Sequence, residues 1–191
     1  MYLIVGLGNP GKEYAGTRHN VGFDTIDFLA YKNDVKLNKL KFNAVFGEYN
    51  INGEKVLLFK PATYMNLSGN AVIEAVRFYK IPIDNIIVIY DDIDISLGSL
   101  RIRPHGSSGT HNGMKSLIYQ LQSDKFKRIR IGIGKNKNPN LSLADYVLQK
   151  FDNDERTIVN ETIQNAGLAA EDIIQAGLNH AMENYNKNIP C

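Results

Sequence analysis

Tyr2-Leu3-Ile4-Val5-Gly6-Leu7-Gly8-Asn9-Pro10-Gly11 opens the chain, and Tyr14 and Thr17-Arg18-His19-Asn20 follow closely. The apolar run at residues 2–5 reads as a short buried strand. Its tip delivers Asn9 and His19 into one polar loop. A histidine can act as a base near neutral pH, and an asparagine offers a donor and an acceptor without charge. Open α/β sheets carry their chemistry in such loops, at the carboxyl ends of strands. Gly6-x-Gly8-x-x-Gly11 also matches a dinucleotide-binding fingerprint. That fingerprint needs a helix opening at the glycines, so that its N-terminus meets a pyrophosphate. Here Gly11, Gly16 and Thr17 interrupt the segment, and helical periodicity starts only near Val21. No second strand ending in an acid follows about twenty residues on. The glycines are therefore read as serving backbone geometry.

Working outward from that strand, residues 20–32 read as an amphipathic helix. Residues 42–51 and 54–60 read as strands joined by Asn52-Gly53, a strong hairpin signal because both positions tolerate positive φ. A loop from Pro61 to Met65 leads to a helix over 68–79. Ile86 to Tyr90 is a β-branched run read as a central strand, ending in Asp91-Asp92-Ile93-Asp94. Residues 99–103 form another short strand. The Gly/Ser loop 106–113 leads to a helix over 114–122, and residues 128–134 alternate with Ile129, Ile131 and Ile133 on one face. Asp152 with Glu155 three residues on is a capping box. It opens a helix to about Gly167, a further helical stretch to about Gly177, and a last turn over 180–185. The predicted fold is α/β: one domain over residues 1–191, a twisted mixed β-sheet covered by helices on both faces.

The composition narrows the class. A chain of 191 residues with 43% hydrophobic residues can bury a real core. The single cysteine, Cys191, permits no intrachain disulfide, which suits a reducing compartment. Met1-Tyr2-Leu3 lacks the basic start and apolar stretch of a signal peptide, and no apolar run approaches a membrane span. The net charge of +2 conceals blocks. Residues 101–137 carry nine Lys/Arg against Asp124 alone, whereas residues 138–191 carry three Lys/Arg against eight acids. A basic block of this kind suits a polyanion, or else a face paired by acidic C-terminal helices.

Four polar clusters fall at strand ends or loops: Asn9 with His19, Tyr64-Met65-Asn66, Asp91 to Asp94, and His111-Asn112. Singly, each has an ordinary structural reading, such as a helix cap at Asn66 or His111. Together they supply a base, a carboxylate to orient it, and neutral amides. That set suits attack of water on a carbonyl, with amides meeting the developing oxyanion. Gly-x-Ser-x-Gly is absent, and so is His-Glu-x-x-His. A magnesium site on Asp91, Asp92 and Asp94 would leave His19 unexplained.

The motifs also resemble a known family. Val5-Gly6-Leu7-Gly8-Asn9-Pro10-Gly11, Tyr14 and Thr17-Arg18-His19-Asn20-Val21-Gly22 are similar to the N-terminal signature of the bacterial-type peptidyl-tRNA hydrolases. Pro61 to Gly69, Asp91 to Asp94 with Gly98, Gly109 to Gly113 and Arg128 to Gly134 resemble its later motifs, in order. The resemblance implies metal-independent hydrolysis of the ester joining a peptide to the 3′ end of tRNA, in a single peptidyl-tRNA hydrolase-like domain. On that pattern His19 is the general base, Asp91 orients it, and Asn9 is the third catalytic residue. Asn9 and Asn66 bind peptide carbonyls or the oxyanion. Asn112 positions water or the terminal nucleotide, and Tyr14, Tyr64 and Met65 complete the substrate contacts. Arg103 and Arg130 hold the tRNA 5′-phosphate. Peptidyl-tRNA is the implied partner, no cofactor is needed, and a cytoplasmic monomer is expected. The family's glycine-rich loop, Lys-Gly-Gly-Ser-Gly-Gly, is here His105-Gly106-Ser107-Ser108-Gly109-Thr110, and Gln149 stands where glycine is usual. Some relatives serve intron splicing, so RNA binding without hydrolysis is the rival reading. It accounts for the basic block but not for the set His19, Asp91, Asn9 and Asn66.

Overall fold

Four parallel strands set the frame. The computed structural model describes residues 1–136 and 138–186; Cys191 lies outside them. Strand β1 (Tyr2–Gly6) lies between β4 (Glu54–Pro61) and β5 (Ile86–Asp92), and β7 (Lys127–Gly132) pairs with the far side of β5. Because these four run in parallel, the loops after their carboxyl ends share one rim. Antiparallel strands extend both sides: β2 (Lys39–Lys41) and β3 (Ala44–Ile51) beyond β4, and β6 (Leu100–Arg103) beyond β7. The order is β2-β3-β4-β1-β5-β7-β6. The sheet is mixed, as the interrupting hairpin predicts. Asn52 (φ 49°) and Gly53 (φ 83°) form its turn, and only residues at ease with positive φ fit both positions.

Helices cover both faces. Helices α1 (Val21–Lys32), α5 (Asn153–Gln175) and α6 (Leu178–Tyr185) pack on Ile4, Leu58, Ile87, Ile89 and Ile129. On the other face, α2 (Ser68–Tyr79) and α3 (Asn112–Leu121) pack on Leu3, Val5, Leu57, Phe59 and Val88. Successive residues of β1 thus feed opposite cores, which is why its sequence is apolar without alternation. A short α4 (Leu143–Val147) stands near the rim. No helix among the described residues is long and apolar enough to cross a membrane.

The structure differs from the sequence expectation at three places. The helix opened by the Asp152–Glu155 capping box does not stop near Gly167 but runs unbroken to Gln175. Gly167 is a packing residue: a Cβ there would sit 2.8 Å from the Phe28 ring on α1. Strand β2 and helix α4 were not anticipated. The three residues of β2 are all exposed, and its two lysines blunt the free edge. The opposite edge is closed differently. Asn186 accepts from the Ile102 amide (2.6 Å) and donates to the Ile102 carbonyl (3.3 Å), so one carboxamide stands in for a neighbouring strand.

The fingerprint glycines serve close packing. The segment after Gly6 enters short 3-10 turns at Lys12–Tyr14 and Arg18–Asn20, and α1 starts only at Val21. At its start α1 touches the tip of β1. A Cβ on Gly6 would overlap the Gly22 carbonyl, and one on Gly22 would lie 2.5 Å from the Leu7 amide nitrogen. Backbone cannot yield there as a flexible side chain could. Gly22→Ala is therefore expected to destabilise the fold by about 1–3 kcal/mol, the usual range for overpacking. A midpoint of urea unfolding equal to that of the parent protein would refute this close approach.

Candidate active site

The shared rim brings the sequence clusters together. Asn9 and His19 follow β1, Tyr64 to Asn66 follow β4, Asp91 lies near the end of β5, and Arg130 lies near the end of β7. Asp91 is buried, 3% exposed, and its Oδ1 accepts two imidazole hydrogens: from His19 Nδ1 at 2.8 Å and from His111 Nε2 at 3.0 Å. The Met114 amide can only donate, and it reaches His111 Nδ1 at 3.3 Å. That fixes the His111 proton on Nε2, facing Asp91. His19 likewise commits its Nδ1 hydrogen to Asp91, which leaves Nε2 with a free lone pair.

Charge follows from this geometry. Burial lowers the His19 pKa, but the charge of Asp91 and its hydrogen bond outweigh that, and the net shift is upward from 6.5. For Asp91, burial pushes upward. The two imidazoles and their hydrogen bonds reverse this and hold its carboxyl well below the usual carboxylate range. The His19 and His111 rings lie 4.9 Å apart between centroids, and Tyr90 meets His111 edge-on at 5.0 Å. His19, Asp91 and His111 also form a group whose potential ligand atoms lie within 4.8 Å. Its nitrogens, however, spend their hydrogens on one carboxylate oxygen.

Two further contacts hold the base and the amide. The Asn9 amide donates to Asn20 Oδ1 (2.9 Å), and Asn20 Nδ2 donates to the Asn9 carbonyl (3.0 Å), so the two loops are clamped reciprocally. The Met65 amide donates to Asn9 Oδ1 at 2.8 Å, which turns the Asn9 side-chain NH2 toward other partners. Next to His19, Arg18 is buried between the rings of Tyr146 and Phe151, at 4.8 and 4.6 Å. It bonds Glu155 at 2.8 Å, the residue that also closes the capping box of α5. The position of His19 thus rests on the start of a distant helix.

The other residues singled out in the sequence occupy distinct positions. Asn66 is exposed in the Met65–Leu67 turn and makes no hydrogen bond among the described residues. Tyr14 and Tyr64 meet edge-on at 6.5 Å. The Met65 side chain is buried beneath Gly113. Asn112, Arg103 and Arg130 line a cavity of about 540 Å³ together with His19, Asp91 and His111. The β6–β7 register pairs Arg101 with Arg130 and Arg103 with Arg128, so four arginines share one face. Arg103 is exposed and, among the described residues, its guanidinium bonds only the Ile102 carbonyl; Arg130 gives its Nε to Asp92 at 2.7 Å, and its terminal nitrogens make no hydrogen bond among the described residues. Arg128, which the alternation suggests as a further phosphate contact, is 2% exposed. It donates to the Ser107 and Asp124 carbonyls and props the Gly/Ser loop from within. Sequence reasoning singles out His111 and Arg128 but not the bond of His111 to Asp91 or the buried, loop-supporting place of Arg128, and it misses the Asn20 clamp on Asn9.

The departures from the family pattern are accommodated locally. Within the loop, Gly109 takes positive φ (54°), whereas His105, Ser107 and Thr110 do not, so their side chains cost no backbone strain. Gln149 also avoids positive φ, and its carbonyl accepts from the Arg18 amide at 2.9 Å.

Comparison with known proteins bears on the family and the fold. A family model described as peptidyl-tRNA hydrolase matches residues 3–190. A peptidyl-tRNA hydrolase of Alkaliphilus metalliredigens is 58% identical over 97% of this chain and all of its own length. One from a Thermoanaerobacter species is 55% identical over the same shares. The crystal structure of peptidyl-tRNA hydrolase from Acinetobacter baumannii superposes with a TM-score of 0.93 at 36% identity, covering 100% of this chain and 97% of that one. A uridine phosphorylase, 10% identical with a TM-score of 0.51, shares the fold alone. With the match running from β1 to the C-terminal helices, this chain belongs to the peptidyl-tRNA hydrolase family.

Proposed function

We propose that this protein hydrolyses the ester between peptide and tRNA in peptidyl-tRNA, releasing both for reuse. The observation that carries the reading is the His19–Asp91 pair: one ring nitrogen held by a buried carboxylate, the other free to take a proton. His19 Nε2 deprotonates water, which attacks the ester carbonyl. Asp91 stabilises the imidazolium that forms, and His111 donates to the same Asp91 oxygen and holds it in place. The side-chain NH2 of Asn9, with that of Asn66, meets the carbonyl oxygen as charge develops on it. The imidazolium then protonates the departing 3′ oxygen of the tRNA. Tyr14, Tyr64 and the turn around Met65 border the peptide, and Asn112 orients water or the terminal nucleotide. No step requires a metal. Release of peptide from purified peptidyl-tRNA, unchanged by a chelator, tests the reading. The protein is taken to act as a monomer in the cytoplasm, and sedimentation at micromolar concentration should return the mass of one chain.

The large cavity runs from His19 to Arg103 and Arg130, which fits a 5′-phosphate at the end of the acceptor stem from which the 3′ strand extends. An arginine holds phosphate by paired hydrogen bonds as well as by charge. Binding should weaken with salt, with a slope near −0.9 per phosphate neutralised on a duplex stem. Arg103→Ala should reduce that slope by about one unit. Arg130→Ala should do less, because Asp92 already takes part of its charge. Both should raise KM for peptidyl-tRNA far more than for a short ester lacking the 5′-phosphate. Equal losses on the two substrates would sink the phosphate role.

A further inference from the structure

A second cavity, of about 280 Å³, adjoins the same loops. Asn9 lines it, and so does Asn20, the chain neighbour of His19. Its apolar walls include Pro10, Phe23, Val45 and Ala62, and its charged groups are Asp24, Asp27 and Lys60. Lys60 Nζ donates to both Asp27 oxygens, at 2.7 and 2.8 Å, and lies 4.9 Å from the centre of the Phe23 ring. That pair cancels. Asp24 is left over: its carboxylate is half-buried and makes no hydrogen bond or ion pair among the described residues. The cavity therefore carries one unanswered negative charge. The larger cavity holds Asp91, Asp92 and Asp94 as well as its arginines, but its exposed Arg103 has no acidic partner among the described residues.

The two cavities divide the substrate by charge. Phosphates suit the arginine-lined one. The smaller, whose only cation among the described residues is already paired, repels them. Consecutive Cα atoms lie about 3.8 Å apart. A peptide whose ester carbonyl meets Asn9 therefore brings its preceding residue to the cavity that Asn9 lines. An ammonium there supplies three donors to a carboxylate that has none. We propose that the smaller cavity receives the residue preceding the esterified one, and that Asp24 favours an ammonium on it. The ammonium is either the free α-amine of a dipeptide or the side chain of lysine. The inference rests on the peptidyl-tRNA reading and adds a peptide preference to it. Burial and the neighbouring Asp27 raise the Asp24 pKa to about 6, with Lys60 opposing. The carboxylate is thus charged at neutral pH and neutralised in mild acid.

The test compares kcat/KM for acetylated dipeptidyl-tRNAs that differ only in the preceding residue: lysine, norleucine or glutamate. A fourth substrate carries norleucine with its α-amine free. In the parent protein at pH 7, where both Asp24 and a free α-amine are mostly charged, the lysine or free-amine substrate should exceed the glutamate substrate by about fivefold, the size of a partly exposed ion pair. Asp24→Asn should bring that ratio close to one. Lys60→Met, which leaves Asp27 unpaired, should raise it. In the parent protein the lysine-to-glutamate ratio should also fall between pH 7 and pH 5.5, as Asp24 takes up its proton; the His19 titration is common to every substrate and cancels. A response to lysine alone identifies the side chain as the ligand, and a response to the free amine alone identifies the peptide terminus. Ratios near one in both the parent protein and Asp24→Asn, with all four substrates cleaved, would overturn the peptide preference only. Failure to cleave any of them would remove the peptidyl-tRNA reading as well.

Discussion

His19→Ala is expected to lower the rate of peptide release at least a hundredfold while the fold persists. General-base assistance is typically worth about 10² to 10⁴ in rate. His111, 4.9 Å away between ring centres, cannot take over. Its Nδ1 already accepts from the Met114 amide, and its Nε2 hydrogen already goes to Asp91. Neither nitrogen has a lone pair to spare for water. The variant should keep its structure, because the cores on both faces of the sheet do not include His19. Circular dichroism and thermal unfolding would establish that. A folded His19→Ala protein with near-parental turnover would end the assignment of the base.

Asp91→Asn should cost about a hundredfold and also move the pH profile. An amide oxygen can accept the same two imidazole hydrogens, so the main loss is the buried negative charge. Only the neutral form of His19 accepts a proton from water, so activity falls as pH drops through its pKa. In the parent protein that pKa lies above the ordinary 6.5, because Asp91 outweighs the effect of burial. Without the charge, burial remains and acts in the other direction. The acidic limb of kcat/KM should therefore cross from above 6.5 to below it. A limb that stays in place would show that Asp91 does not set the charge on His19.

The sequence exposes the local rules and conceals the long-range contacts. Asn52-Gly53 and the Asp152–Glu155 box are legible because turn and cap chemistry are contained within a few residues. Gly167 misleads for the same reason. A glycine within a helix reads as a break, and only the Phe28 ring on another helix shows that it is there for close approach. At the site, His19, Asn9 and Asp91 can be singled out by residue type and by position after strands. The second hydrogen bond on Asp91 depends on α3 starting beside β5, which no spacing encodes. Arg128 and Arg130 are indistinguishable by alternation, since both lie on one face. Their environments separate them: one lies under the Gly/Ser loop, the other beside Asp92.

The contacts that hold the base and the amide in place are also non-local. His19 and Asp91 are 72 residues apart, and Asn9 and Met65 are 56 apart. A growing chain exposes His19 long before Asp91 exists, and the imidazole gains its carboxylate only when β5 inserts beside β1. Contacts between distant parts of the chain form slowly, because loop closure comes before any gain from them. During refolding, helical signal should therefore return ahead of hydrolysis, and the recovery of turnover would time the insertion of that central strand.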